Sequence, residues 1–143
     1  MRSFFCASFL ACATPIHACE VALMLAVDVS GSVDPNEYRI QMEGLAAGLV
    51  DRAVSGALVA GRSKVALMQW TGTSRQKVVI GWQEMRDDLD VIAFANEVAT
   101  IPREWRNFST AIGEAMTLSL PYFAEVPECG RHVMDISGDG PSN

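Results

Sequence analysis

Asp28, Ser30 and Ser32 stand at alternate positions directly after an apolar run, Val21-Ala22-Leu23-Met24-Leu25-Ala26-Val27. A run of that kind reads as a parallel strand buried on both faces. Carboxylate and hydroxyl oxygens gathered at its carboxyl end lie where open α/β sheets bind ligands. All-oxygen surroundings suit a hard divalent cation such as Mg²⁺. The serines also invite nucleophilic chemistry, but a serine nucleophile needs a base within reach. His132 falls inside another predicted strand, near Cys129 and well before Asp139, and His17 falls in the leader described below. Neither histidine makes metal-ligand spacing with a cysteine.

The elements that must position these oxygens follow in order. Asp34-Pro35-Asn36-Glu37 carries an N-cap, a first-turn proline and a capping-box glutamate. One helix is predicted from there through Tyr38, Met42, Leu45, Leu49 and Ala53. Gly44 and Gly48 interrupt it, which close packing on the sheet would explain. Lys64–Trp70 is a second strand, 71–76 a polar turn and Lys77–Trp82 a third strand. So short a link permits an antiparallel hairpin and no parallel crossover. A helix over 88–101 presents Val91, Phe94, Ala95, Val98 and Ile101 on one face. The loop carrying Arg103, Glu104, Trp105 and Arg106 follows and is a candidate partner contact. Another helix starts near Ser109, and Arg131–Ile136 is the last strand. Trp70 and Trp82, at strand ends, read as core. The order β-α-β-β-α-α-β specifies an α/β, Rossmann-like doubly wound sheet, mostly parallel with one antiparallel edge strand. The last strand reads as central, so the domain is expected to be truncated at its C-terminus.

Residues 1–18 read as a secretory signal peptide: a basic start at Arg2, an apolar stretch, Pro15, and Ala18 before Cys19. The segment is too short to span a membrane, and no transmembrane segment is expected after its removal. Its loss takes Arg2 and moves the formal charge from -6 to -7. An acidic chain without a basic cluster argues against nucleic acid as a partner. Residues 19–143 then form one domain, exported to the periplasm or the extracellular space.

Cys6 and Cys12 leave with the leader, so Cys19 and Cys129 remain. Each lies two residues before a predicted strand. If those strands are parallel neighbours, their Cα atoms stand about 5 Å apart, within disulfide range. The alternative is a lipid anchor on Cys19, which would leave Cys129 unpaired.

Three segments now share a pattern. Asp28-Val29-Ser30-Gly31-Ser32 resembles the Asp-x-Ser-x-Ser signature of von Willebrand factor A domains. Ser109-Thr110-Ala111-Ile112-Gly113-Glu114-Ala115 resembles that family's threonine loop, and Ile136-Ser137-Gly138-Asp139-Gly140 its strand-end Asp-Gly. They occur in family order across residues 20–143, and Cys19 before the first strand is similar to a secreted bacterial branch. The resemblance implies a metal-ion-dependent adhesion site holding Mg²⁺ (or Mn²⁺). Ser30 and Ser32 would bind the metal directly, Thr110 directly or through water, and Asp28 and Asp139 through bound waters. Phe108-Ser109 and Ser137-Gly138 depart from the family's usual residues at those points without removing a ligand.

The function expected is a secreted, non-enzymatic binding module whose cation takes an acidic group of a protein partner. The alternatives are a metal-assisted hydrolase and a structural component of an envelope complex.

Overall fold

The computed structural model describes residues 18–106 and 112–138. The sheet has the order β3-β2-β1-β4, from β1 (Cys19–Asp28), β2 (Lys64–Thr71), β3 (Arg75–Glu84) and β4 (Cys129–Ser137). β1 runs parallel to both β2 and β4, and β3 is antiparallel to β2. The helices are α1 (Pro35–Leu49), α2 (Arg52–Ala60), α3 (Asp88–Thr100) and α4 (Ile112–Phe123).

Side chains alternate across a strand, and both faces of β1 and β2 are covered. Leu25, Val27, Val65 and Leu67 pack with Met42 of α1 and Phe94 of α3 on one face. Ala22, Met24, Ala26, Met68 and Trp70 pack with Ala115 and Phe123 of α4 on the other. Two-sided burial is why these strands read as continuous apolar runs. The doubly wound, mostly parallel sheet with an antiparallel edge strand is the fold anticipated.

Several details differ from expectation. The helix predicted to run through Ala53 is two helices, broken where the Asp51 side chain accepts from the Ala53 and Val54 amides. Aspartate competes with the helical backbone for its hydrogen bonds, so it starts a helix more readily than it continues one. Gly44 and Gly48 do not mark close packing, since a Cβ at either would meet nothing within 4 Å. Gly44→Ala is therefore expected to stabilise the protein by about 0.5–1 kcal/mol through helix propensity. A lowered urea midpoint would contradict that assignment. The hairpin turn is shorter than predicted, because Thr71 and Arg75 already pair as strand residues. Among the described residues β4 lies at an edge beside β1, with most of its residues exposed.

Cys19 and Cys129 are register partners in β1 and β4 and are disulfide-bonded, with Cα atoms 4.4 Å apart. The same register sets Val27 beside Ser137, so Asp28 and Gly138 follow at the opposite end of the two strands. A Cys19 sulfur held in that bond has no valence left for a thioether-linked lipid. The intact mature protein should gain two hydrogens in mass on reduction and carry no acyl chains; a diacylglycerol adduct would contradict the pairing. Residues 1–17 of the predicted leader lie outside the described residues. No described helix is long and apolar enough to cross a membrane.

Candidate metal centre

The carboxyl end of β1 delivers Asp28, which is fully buried, and the loop after it carries Ser30, buried, and Ser32, exposed. The Ser30 amide donates to Asp28 Oδ1 at 2.7 Å, turning the loop back over the carboxylate. The Val33 amide closes the turn onto the Ser30 carbonyl at 3.1 Å. α1 then starts abruptly. Asp34 Oδ1 accepts from the Asn36 and Glu37 amides, and Glu37 Oε2 accepts from the Asp34 amide. This is the capping box anticipated from sequence, and it fixes the loop's far end.

Within the loop, Ser30 Oγ and Ser32 Oγ are 3.1 Å apart and share a hydrogen bond. Neighbouring oxygens of an octahedral shell at the Mg²⁺ distance of about 2.1 Å stand roughly 3.0 Å apart. The hydroxyl pair fits two adjacent positions of such a shell. Among the described residues no cluster of three or more His, Cys, Asp or Glu is placed to hold a metal. The chemistry available here is hydroxyl-rich instead.

Asp28 is the register partner of Trp70, so the indole and the carboxylate share the face toward α4. A Cβ added at Gly138 would stand 3.3 Å from Asp28 Oδ2 and 3.4 Å from Trp70 Cζ2. A side chain there is accommodated only if Asp28 or Trp70 gives by a few tenths of an ångström. Trp70 Nε1, two bonds further along that indole edge, is buried without a hydrogen-bond partner among the described residues. Gly138→Ala is expected to cost about 1–3 kcal/mol by overpacking and to weaken metal binding as Asp28 shifts. A variant matching wild type in both thermal midpoint and Mn²⁺ affinity would show that the space is not limiting. On the other side of β4's end, Gln41 Nε2 donates to Ser137 Oγ at 2.9 Å. A cleft of about 320 Å³ opens between these elements, lined by Asp28, Val33, Glu37, Gln41 and Gly138. Thr110 and Asp139, the other two expected ligands, lie outside the described residues.

The segment 101–106 leaves Glu104 and Arg106 exposed but not Arg103. Arg103 turns inward and donates to the carbonyls of Val29 (2.9 Å), Ser30 (2.6 Å) and Val33 (2.6 Å). Burial, and then the neighbouring Arg106, lower its pKa, although an arginine stays charged throughout the working range. Trp105 packs against the core, and Glu104 pairs with Lys77. Sequence reasoning also missed Gln69, which is fully buried in β2. Its amide nitrogen donates to the Tyr38 hydroxyl (2.9 Å) and the Pro102 carbonyl (3.0 Å), and its oxygen accepts from the Glu104 amide (2.8 Å). Tyr38 in turn donates to the Ile101 carbonyl, and burial pushes its pKa up to about 12. The signal was present: one polar residue inside Val65-Ala66-Leu67-Met68-Gln69-Trp70, since a buried polar group is what carries information in a core strand.

Among the described residues the mostly parallel, doubly wound sheet is a von Willebrand factor A-like fold. The fold is similar to the vWF domain of the type V pili tip protein Mfa5 from Porphyromonas gingivalis (TM-score 0.60, 10% identity, covering 87% of this chain and 39% of that one). It is also similar to proximal thread matrix protein 1 from the mussel byssus (TM-score 0.58, 15% identity, 86% and 33% covered). An aerotolerance-related membrane protein from Bacteroides fragilis aligns with TM-score 0.51 at 21% identity, with 84% and 57% covered. The chain thus spans from about a third to just over half of the length of these structures. No match is found among curated proteins. By sequence the chain belongs to the family described as "Protein of unknown function (DUF1194)", which matches residues 18–143.

Proposed function

We propose that the protein is an exported, non-enzymatic binding module that holds a divalent cation at Asp28, Ser30 and Ser32 and uses it to bind a partner's acidic group. The observation that carries the reading is the pair of serine hydroxyls, 3.1 Å apart, in a loop folded over the buried Asp28 carboxylate. Ser30 and Ser32 would bind Mg²⁺ or Mn²⁺ directly, and Asp28 would act through a bound water. Thr110 and Asp139 complete the set by resemblance to the adhesion-site pattern. When bound, the cation supplies a positive centre for a carboxylate. Neutral hydroxyl ligands leave more of that charge available than a carboxylate cage would.

Export is supported by the leader-like residues 1–18 and by the cysteine pair, which belongs to an oxidising compartment. A pilus-tip protein and a byssal-thread matrix protein share this fold, in keeping with a binding role. The non-enzymatic reading rests on where the mature chain's histidine lies. His132 is beside Ala22 in register, six residues and roughly 20 Å from the Asp28 end of the strand. Its ring stacks on Phe123 at 5.1 Å, and Nε2 contacts the Val126 carbonyl, so it is engaged away from the serines.

The test is thermal denaturation of the full-length mature protein across Mn²⁺ concentrations. At a hundred times the dissociation constant, stability should rise by about 2.7 kcal/mol, and a chelator should reverse the gain. The Ser30→Ala/Ser32→Ala double variant should show no such rise. A wild-type midpoint independent of Mn²⁺ and Mg²⁺ would defeat the proposal.

A further inference from the structure

We propose that Arg103 is a positioning residue for the cation site: its guanidinium latches the Asp28–Ser32 loop to the segment that follows α3. The inference rests on the reading of Asp28, Ser30 and Ser32 as a cation site, and its test separates the two.

Three loop carbonyls, of Val29, Ser30 and Val33, converge on one guanidinium at 2.6–2.9 Å. They flank both metal-facing serines. A planar fork of N–H donors reaches three separated backbone acceptors at once, which a compact ammonium does less well. Carbonyls bonded in this way are committed to Arg103, while the Ser30 and Ser32 hydroxyls are hydrogen-bonded to each other. The latch is anchored in turn. Gln69 holds both neighbours of Arg103, through the Pro102 carbonyl and the Glu104 amide, and the Tyr38 hydroxyl holds the Ile101 carbonyl. Tyr38 also lies under the guanidinium, 6.0 Å from ring centroid to Cζ. β2, α1 and the segment after α3 thereby hold the loop in place.

Electrostatics alone gives the opposite expectation. Arg103 is close enough to Asp28 and Asp34 for their charges to raise its pKa against the lowering by burial. A positive charge near a cation site repels the cation, so deleting it should tighten metal binding. Holding the loop in shape does the reverse. The sign of the change therefore distinguishes the two roles.

The experiment compares wild type, Arg103→Met and Arg103→Lys in the full-length mature protein, with Mn²⁺ alone as the probe. Mn²⁺ affinity is measured by titration calorimetry, and backbone order in residues 29–34 by hydrogen exchange without metal. Arg103→Met is expected to bind Mn²⁺ about 10-fold more weakly, as for other residues that orient metal ligands. Its Ser30 and Val33 amides should exchange faster. Arg103→Lys keeps the charge and loses the fork, so it should fall between the two. It also serves as the informative variant if Arg103→Met does not fold. Unchanged or tighter Mn²⁺ binding with unchanged loop exchange would overturn the proposal. If wild type binds no Mn²⁺, the cation reading fails, and loop exchange alone decides whether Arg103 holds the loop.

Discussion

Asp28→Asn is expected to lower Mn²⁺ affinity by roughly 10–100-fold while leaving the metal-free fold intact. Asparagine keeps the shape and an oxygen able to accept the Ser30 amide, which Asp28 Oδ1 holds at 2.7 Å. It removes the charge and turns the second carboxylate oxygen into an N–H donor. In a fully buried position that charge cannot be replaced by solvent, so a cation whose direct ligands are neutral hydroxyls depends on it heavily. Asp28→Ala should lose the affinity and also leave the Ser30 amide without its partner, costing a further 1–3 kcal/mol or so. Calorimetric titration paired with thermal denaturation separates the two losses. Wild-type affinity in Asp28→Asn would remove Asp28 from the site.

Removing the disulfide with Cys19→Ser/Cys129→Ser should cost about 2–5 kcal/mol of stability, read from urea denaturation. The bond closes a sequence separation of 110 residues, so it restricts the unfolded chain strongly. It also pins β4 to β1 in the one register that brings Gly138 against Asp28 and Trp70. A slip of one residue would exchange the faces of the whole strand. The bond lies nine residues, about 30 Å, from the metal loop. In molecules that remain folded, Mn²⁺ affinity should therefore stay close to wild type. A variant of unchanged stability would show that the β1–β4 packing alone sets the register.

The contrast between what was legible and what was not follows the range of the interactions involved. β1, β2 and α3 could be read because burial on two faces, or on one stripe, leaves a local periodic trace. The Asp34–Glu37 capping box is wholly local and appears as expected. The Cys19–Cys129 pairing was accessible because strand adjacency and cysteine position gave the same answer. The inward hydrogen bonds of Arg103 were not legible, because a charged residue in a polar loop looks solvent-facing. Its actual place depends on three carbonyls some 70 residues away in sequence, which no local pattern encodes. Gly44 and Gly48 were misread for the converse reason: their cost is local, but the space around them is tertiary. Of the candidate ligands, Asp28, Ser30 and Ser32 converge at one strand end, while Thr110 and Asp139 lie outside the described residues.

The most direct measurement is anomalous diffraction from crystals of the full-length mature protein grown with Mn²⁺ and acetate. The account predicts a manganese peak about 2.1 Å from both Ser30 Oγ and Ser32 Oγ, with a carboxylate oxygen from acetate or a neighbouring molecule in an open position. No peak at that loop at saturating Mn²⁺, or one held by other residues entirely, would contradict it.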